Sequence, residues 1–125
     1  MNVHALAQTA YGDPTTVQKS PRSAEYDVIS RITARLQIAQ QADRAAFPQL
    51  AEALHENRRL WVELATDLAT PGNALPLALR AQLLSLAQFS LRHTEEVLAG
   101  RGSADVLVDI NLAILRGLSG RDGIS

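Results

Sequence analysis

A chain of 125 residues has room for one domain with a real core. It contains no cysteine, which removes disulfides, thiol nucleophiles and thiolate metal sites and leaves the redox compartment open, with a reducing cytoplasm as the default expectation. Twelve basic and 13 acidic side chains leave a formal net charge of −1, a balance that argues against general binding to a phosphate backbone.

Alanine and leucine fill 39 positions and valine and isoleucine only 13, a bias that favours helix because Ala and Leu lose little conformational freedom there. Prolines and glycines gather at a few junctions instead of recurring at the short intervals a β-sandwich needs. The expected fold is all-α, a single-domain bundle of four main helices preceded by a short helical arm.

In chain order, residues 1–18 form that arm. Val3, Leu6, Ala7 and Ala10 share one face, and Tyr11-Gly12-Asp13-Pro14 follows. A helix this short is marginal in water, so the arm is expected to be mobile or weakly docked, a frayed terminus or a segment that orders on a partner. The bundle itself is expected over 19–118.

Ser20-Pro21 opens the first main helix, with serine as N-cap and proline in the first turn. Tyr26, Ile29, Ile32, Leu36 and Ala39 form its inward stripe, which Val28 and Ile38 widen, and it should end near Gln41 or Asp43. The second helix, Phe47 to Thr70, is the expected hub. Leu50, Leu54, Trp61, Leu64, Ala65 and Leu68 recur at helical spacing, with Asn57 in the one turn that lacks an apolar residue. Pro48 suits its first turn, and Pro71-Gly72 stops it. Ala74-Leu75-Pro76 begins the third helix, whose apolar face is Leu79, Leu83, Leu86, Ala87 and Leu91, extended by Val97 and Leu98. Gly100-Arg101-Gly102 ends it. Ser103 then caps a fourth helix with Val106, Leu107, Ile110, Ile114 and Leu118 facing inward, and residues 119–125 are expected to be disordered. Short joins predict antiparallel neighbours packed side by side.

No apolar run approaches the roughly 18 residues of a membrane span, and the N-terminus lacks the layout of a signal peptide. Catalytic patterns are missing as well. His4, His55 and His93 lie far apart and belong to no ligand pair; His55 suits a solvated face, and His93 the C-terminal end of its helix. Glu52-Glu56 and Asp105-Asp109 share helix faces, and Glu95-Glu96 are adjacent, but nothing converges on them as a catalytic pocket requires. There is no nucleophile elbow and no glycine-rich phosphate loop. The expectation is a protein that is not an enzyme, with no metal and no cofactor. Arg58-Arg59 and Arg31-Arg35 sit beside acidic residues, and five aromatics make a poor stacking platform, so direct nucleic-acid binding is not expected.

What remains is apolar surface. Leu60 and Val62 flank Trp61, and Leu77, Leu84, Leu112 and Leu115 fall outside their helices' main stripes. Either the inner helices bury two faces, or part of this excess forms a groove for a partner segment.

Ser20-Pro21-Arg22-Ser23-Ala24-Glu25-Tyr26, Phe47-Pro48 through Leu54, and Asn57-Arg58-Arg59-Leu60-Trp61 together resemble the FlaF family of α-proteobacterial flagellar biosynthesis regulators. Asn73-Ala74-Leu75-Pro76, Leu86-Ala87-Gln88-Phe89, Asp109-Ile110-Asn111 and Leu115-Arg116-Gly117-Leu118 extend the resemblance, which runs over about residues 5 to 118. Asn-Arg-Arg-Leu-Trp after Phe-Pro is its most specific part; the Tyr11-Gly12-Asp13-Pro14 region matches only loosely. The resemblance implies a cytoplasmic, non-enzymatic protein that binds flagellin as an export chaperone or adaptor and promotes its synthesis and secretion. It also implies work with or against FlbT, which restrains flagellin synthesis.

A leucine-lined groove would suit flagellin's terminal segments, which the resemblance implies are amphipathic and poorly ordered before assembly. Arg58, Arg59, Leu60 and Trp61 are the expected interface residues, with Tyr26 and Phe47 beside them. The plainer alternatives are a core anchor for Trp61 and a solvated or internally paired face for the two arginines. A second reading is post-transcriptional control through FlbT or flagellin messenger RNA. A third is a small-molecule sensor with a pocket between helices.

Overall fold

The computed structural model describes the backbone of residues 21–122 and the side chains of residues 24–43 and 45–118. Four α-helices lie within that range: α1 (Pro21–Gln41), α2 (Phe47–Ala69), α3 (Leu77–Leu98) and α4 (Asp105–Asp122), with a 3-10 turn (Arg44–Ala46) leading into α2. No strand occurs among the described residues, and the fold is all-α. The expected arm over 1–18 and the Ser20 cap lie outside the described residues.

Local chemistry sets the ends of these helices. Asp43 Oδ1 accepts the Ala45 N–H at 3.1 Å in the turn before α2, and Pro48 stands in the helix's first turn. At the other end Asn73 Nδ2 donates to the Asp67 carbonyl at 3.1 Å, and Arg80 Nε donates to the Leu68 carbonyl at 3.1 Å. Two carbonyls orphaned by the end of α2 thus find side-chain donors, one of them from α3. α3 closes in a Schellman motif: the Arg101 N–H reaches the Glu96 carbonyl at 2.8 Å, the Gly100 N–H reaches the Val97 carbonyl at 3.0 Å, and Gly100 has φ +81°. Ser103 Oγ then accepts the Asp105 N–H at 3.0 Å at the start of α4.

α2 is the hub. It packs along both α1 and α3, and α1 packs along α4 on its other side. α3 and α4 are sequence neighbours but touch only sparsely, so the expected side-by-side packing of consecutive helices fails at this one join. Two apolar clusters form the core. Near the α3–α4 loop, Leu36 and Leu54 meet Val97, Leu107 and Val108; at the other end, Val28, Ile29, Ile32 and Leu60 meet Leu115. The order of these residues makes α1 antiparallel to both α2 and α4.

Polar side chains join the clusters. The Trp61 Nε1–H donates to Asn111 Oδ1 at 3.0 Å. Asn111 Nδ2 donates to Asn57 Oδ1 at 2.7 Å and to Thr33 Oγ1 at 3.1 Å. Thr33 passes its own proton to the Ile29 carbonyl at 2.6 Å. One network therefore ties α1, α2 and α4, and all four side chains are buried. Inside a core a network of this kind sets register, because a shifted helix would strand its donors; within it only Asn57 Nδ2 finds no partner among the described residues.

Several expectations about faces need correction. Leu60 and Trp61 were expected at an interface, but they are 1 % and 2 % exposed, because a hub with neighbours on two sides buries two faces. Ile38 was expected to widen the buried stripe of α1 and is 72 % exposed, since none of the four described helices covers that flank. In α4 the buried line is Leu107, Val108, Asn111 and Leu115, about one position around from the expected Ile110-Ile114-Leu118 line. α4 also runs to Asp122, past the expected end at 118: Gly117 sits within it without positive φ and lowers helix propensity without stopping it.

Candidate functional site

α3 buries Ala87, Ser90, Thr94 and Val97, a line of small or short side chains at steps of three and four residues. Such residues let α3 approach its neighbours closely. Ser90 and Val97 point the same way as Leu79, Leu83 and Leu86, since residues advance about 100° each around a helix. One stripe therefore runs the length of α3. Its C-terminal half is sealed, where Val97 packs with Ala104, Leu107 and Val108 of the loop and α4. Its N-terminal half is not, because α4 has splayed away, and Leu79, Leu83 and Leu86 are only half-buried.

The gap between the splayed halves is a groove of about 780 Å³. Leu79, Leu83, Leu86 and Phe89 line it from α3, and Ala113, Ile114, Gly117 and Leu118 from α4. Gln82 and Ser85 are its polar members, and no charged side chain among the described residues lines it. A Cβ built on Gly117 would meet nothing within 4 Å, so the missing side chain there leaves the groove wide. Phe89 is held in place from the loop side. Its ring stacks on His93 with centroids 5.5 Å apart and planes 9° from parallel, and His93 Nε2 lies 2.7 Å from the Ser103 carbonyl oxygen. A carbonyl can only accept, so that nitrogen carries the proton.

The expected interface residues lie elsewhere. Arg58 is exposed and reaches Glu95 of α3 at 3.8 Å, and Glu56 pairs with Arg35 of α1 at 2.9 Å. Arg59 is exposed and makes no ion pair with any described residue. Phe47 is 42 % exposed at the start of α2, and Tyr26 is half-buried against the second apolar cluster. None of the four lines the α3–α4 groove. Arg35, Ile38, Glu52, Glu56 and Arg59 instead border a second groove, of about 700 Å³, between α1 and α2. Its mixed charges make it a poor counterpart for an apolar stripe.

Reasoning from sequence assigned Leu79, Leu83, Leu86, Ile114 and Leu118 to the core and so missed the groove. The one signal it held was width: α3 carries more apolar residues than a single neighbour covers. Among the described residues no group of three or more His, Asp or Glu side chains is placed to hold a metal ion, and no helix is long and apolar enough to cross a membrane.

The family model described as flagellar protein FlaF matches residues 7–118. The chain belongs to the FlaF family. The FlaF match takes in α1 to α3, α4 as far as Leu118, and every residue lining the groove. It is thus a protein of a flagellar family built as an all-α bundle. No curated protein and no solved structure matches the chain.

Proposed function

We propose that this chain binds flagellin as a cytoplasmic chaperone or adaptor, covering an amphipathic helical segment of it and so promoting its synthesis and secretion. Membership of a flagellar family supports the setting. The observation that carries the reading is the half-open leucine stripe of α3, bordered by α4 and lined by no charged residue. A partner helix laying apolar residues at i, i+3, i+4 and i+7 along it would complete the packing that α4 provides only near the loop. Covering such a segment also keeps it from premature self-association.

Titrating purified flagellin into the intact chain tests the proposal. Leu83→Asp and Gly117→Phe, the second of which fills the groove from a site with free space, should each weaken capture about tenfold or more, at least 1.4 kcal/mol. Unchanged affinity in both folded variants would remove the groove from the proposal. Arg58→Ala with Arg59→Ala is the matching test of the exposed arginine face: normal capture by that variant sets the face aside. The alternative, control through FlbT or flagellin messenger RNA, separates by salt. RNA contact should weaken steeply with ionic strength, and an apolar groove should not.

A further inference from the structure

We infer that the groove between α3 and α4 is a docking site for the N-terminal segment of this same chain, held in cis when no partner is present. The groove opens at the end of the bundle where α1 begins. Ala24 and Tyr26 pack in one cluster with Ile114 and Leu118, and the last two line the groove. The start of α1, to which the 20 preceding residues are joined, therefore lies beside the opening.

Length fits. Leu79 to Phe89 covers about 15 Å of α3 at 1.5 Å per residue, and a helix over residues 3–10 would measure about 12 Å. The ten residues 11–20 reach at most about 33 Å when extended, so the tether does not limit docking. Chemistry fits as well. Val3, Leu6, Ala7 and Ala10 make an uncharged stripe with small members, and the groove presents leucines and no charge. Gly12 and Pro14 stand where the chain must turn back toward the bundle. Docking in cis would shield the leucine stripe until a competing helix displaces the segment, so this inference shares the groove, but not the partner, with the function proposed above.

The chain has no cysteine, so introduced pairs report alone. In the full-length protein, without flagellin, Ala7→Cys is combined in turn with Leu79→Cys, Leu83→Cys or Leu86→Cys, and with Gln37→Cys on an exposed position of α1 as the control. At least one groove pair should form an intramolecular disulfide about tenfold faster than the control, at a rate independent of protein concentration. Adding Leu6→Asp should erase that advantage while the helical circular-dichroism signal of the four helices is kept. Groove pairs no faster than the control would overturn the inference. So would disulfide-linked dimers that increase with concentration, because they would make a second copy the occupant. With flagellin absent throughout, either result leaves the capture of flagellin to be judged separately.

Discussion

Asn111 carries more of the core than its size suggests. It accepts from Trp61, donates to Asn57 and Thr33, and so joins three helices through one amide. Asn111→Leu keeps the volume but strands the Trp61 N–H and the Asn57 carbonyl oxygen; at roughly 1–3 kcal/mol for each of the two buried orphans, a loss of about 2–6 kcal/mol is expected. Urea unfolding measures it as a lower midpoint with an unchanged slope. Gly117 makes the opposite prediction. Its φ is not positive and a methyl group meets nothing, so Gly117→Ala should stabilise the protein by about 0.5–1 kcal/mol through the unfolded chain and helix propensity. A destabilised Gly117→Ala would mean that the groove floor is tighter than the structure shows. From sequence alone Asn57 was the one polar position in its helix's apolar stripe and Asn111 only part of a family motif; only the contact between helices makes them partners.

At the scale of elements, the α3–α4 loop is the most constrained join. Gly100 and Gly102 both have φ above +80°, and a Cβ on Gly102 would stand 3.4 Å from the His93 ring. Arg101 Nε, between them, bonds Glu96 Oε2 at 2.8 Å. That bond, and then the guanidinium charge, holds the Glu96 carboxyl below its ordinary 4.5. A carboxyl whose folded pKa is depressed adds stability above its unfolded value and loses it as pH falls through the folded one. The pair should therefore help near neutral pH, begin to fade as pH drops past about 4.5, and stop helping only once pH is below the lower folded value. Midpoints of urea unfolding for the wild type and Arg101→Ala should differ slightly at pH 7, less at high salt, and converge in acid. A gap that persists at low pH would assign Arg101 a packing role instead. The helix ends themselves were readable beforehand: Pro48, Pro71-Gly72, Pro76 and Gly100-Arg101-Gly102 all stand within a few residues of the observed termini.

For the whole molecule, the consequence is an uneven bundle. α2 is enclosed between α1 and α3, while the first half of α3 and the end of α4 each lack a neighbour on one side among the described residues. Local opening follows missing contacts, so in the Leu6→Asp variant, where the N-terminal segment no longer covers the groove, amide exchange should be faster over residues 77–86 and 113–118 than over 28–36 and 53–61. Flagellin, if it fills the groove, should slow the first pair of segments and leave the second pair alone. Uniform exchange across all four segments would contradict the picture of a splayed α3 and α4.

Helix content, the four-helix count and most helix limits follow from the sequence by itself, because propensity, caps and breakers act over one or two turns of chain. The family match likewise rests on linear motifs. Which face of each helix is sealed was decided only by tertiary structure. α3 and α4 both carry apolar residues over more than one face, and their own periodicity cannot say whether Ile114 or Leu115 meets a neighbour. The position of α1 against α4, and the divergence of α3 from α4 beyond the loop, settles that choice: Leu115 is buried and Ile114 borders the groove. The groove comes from packing between helices distant in sequence, and no local signal along α3 or α4 encodes it.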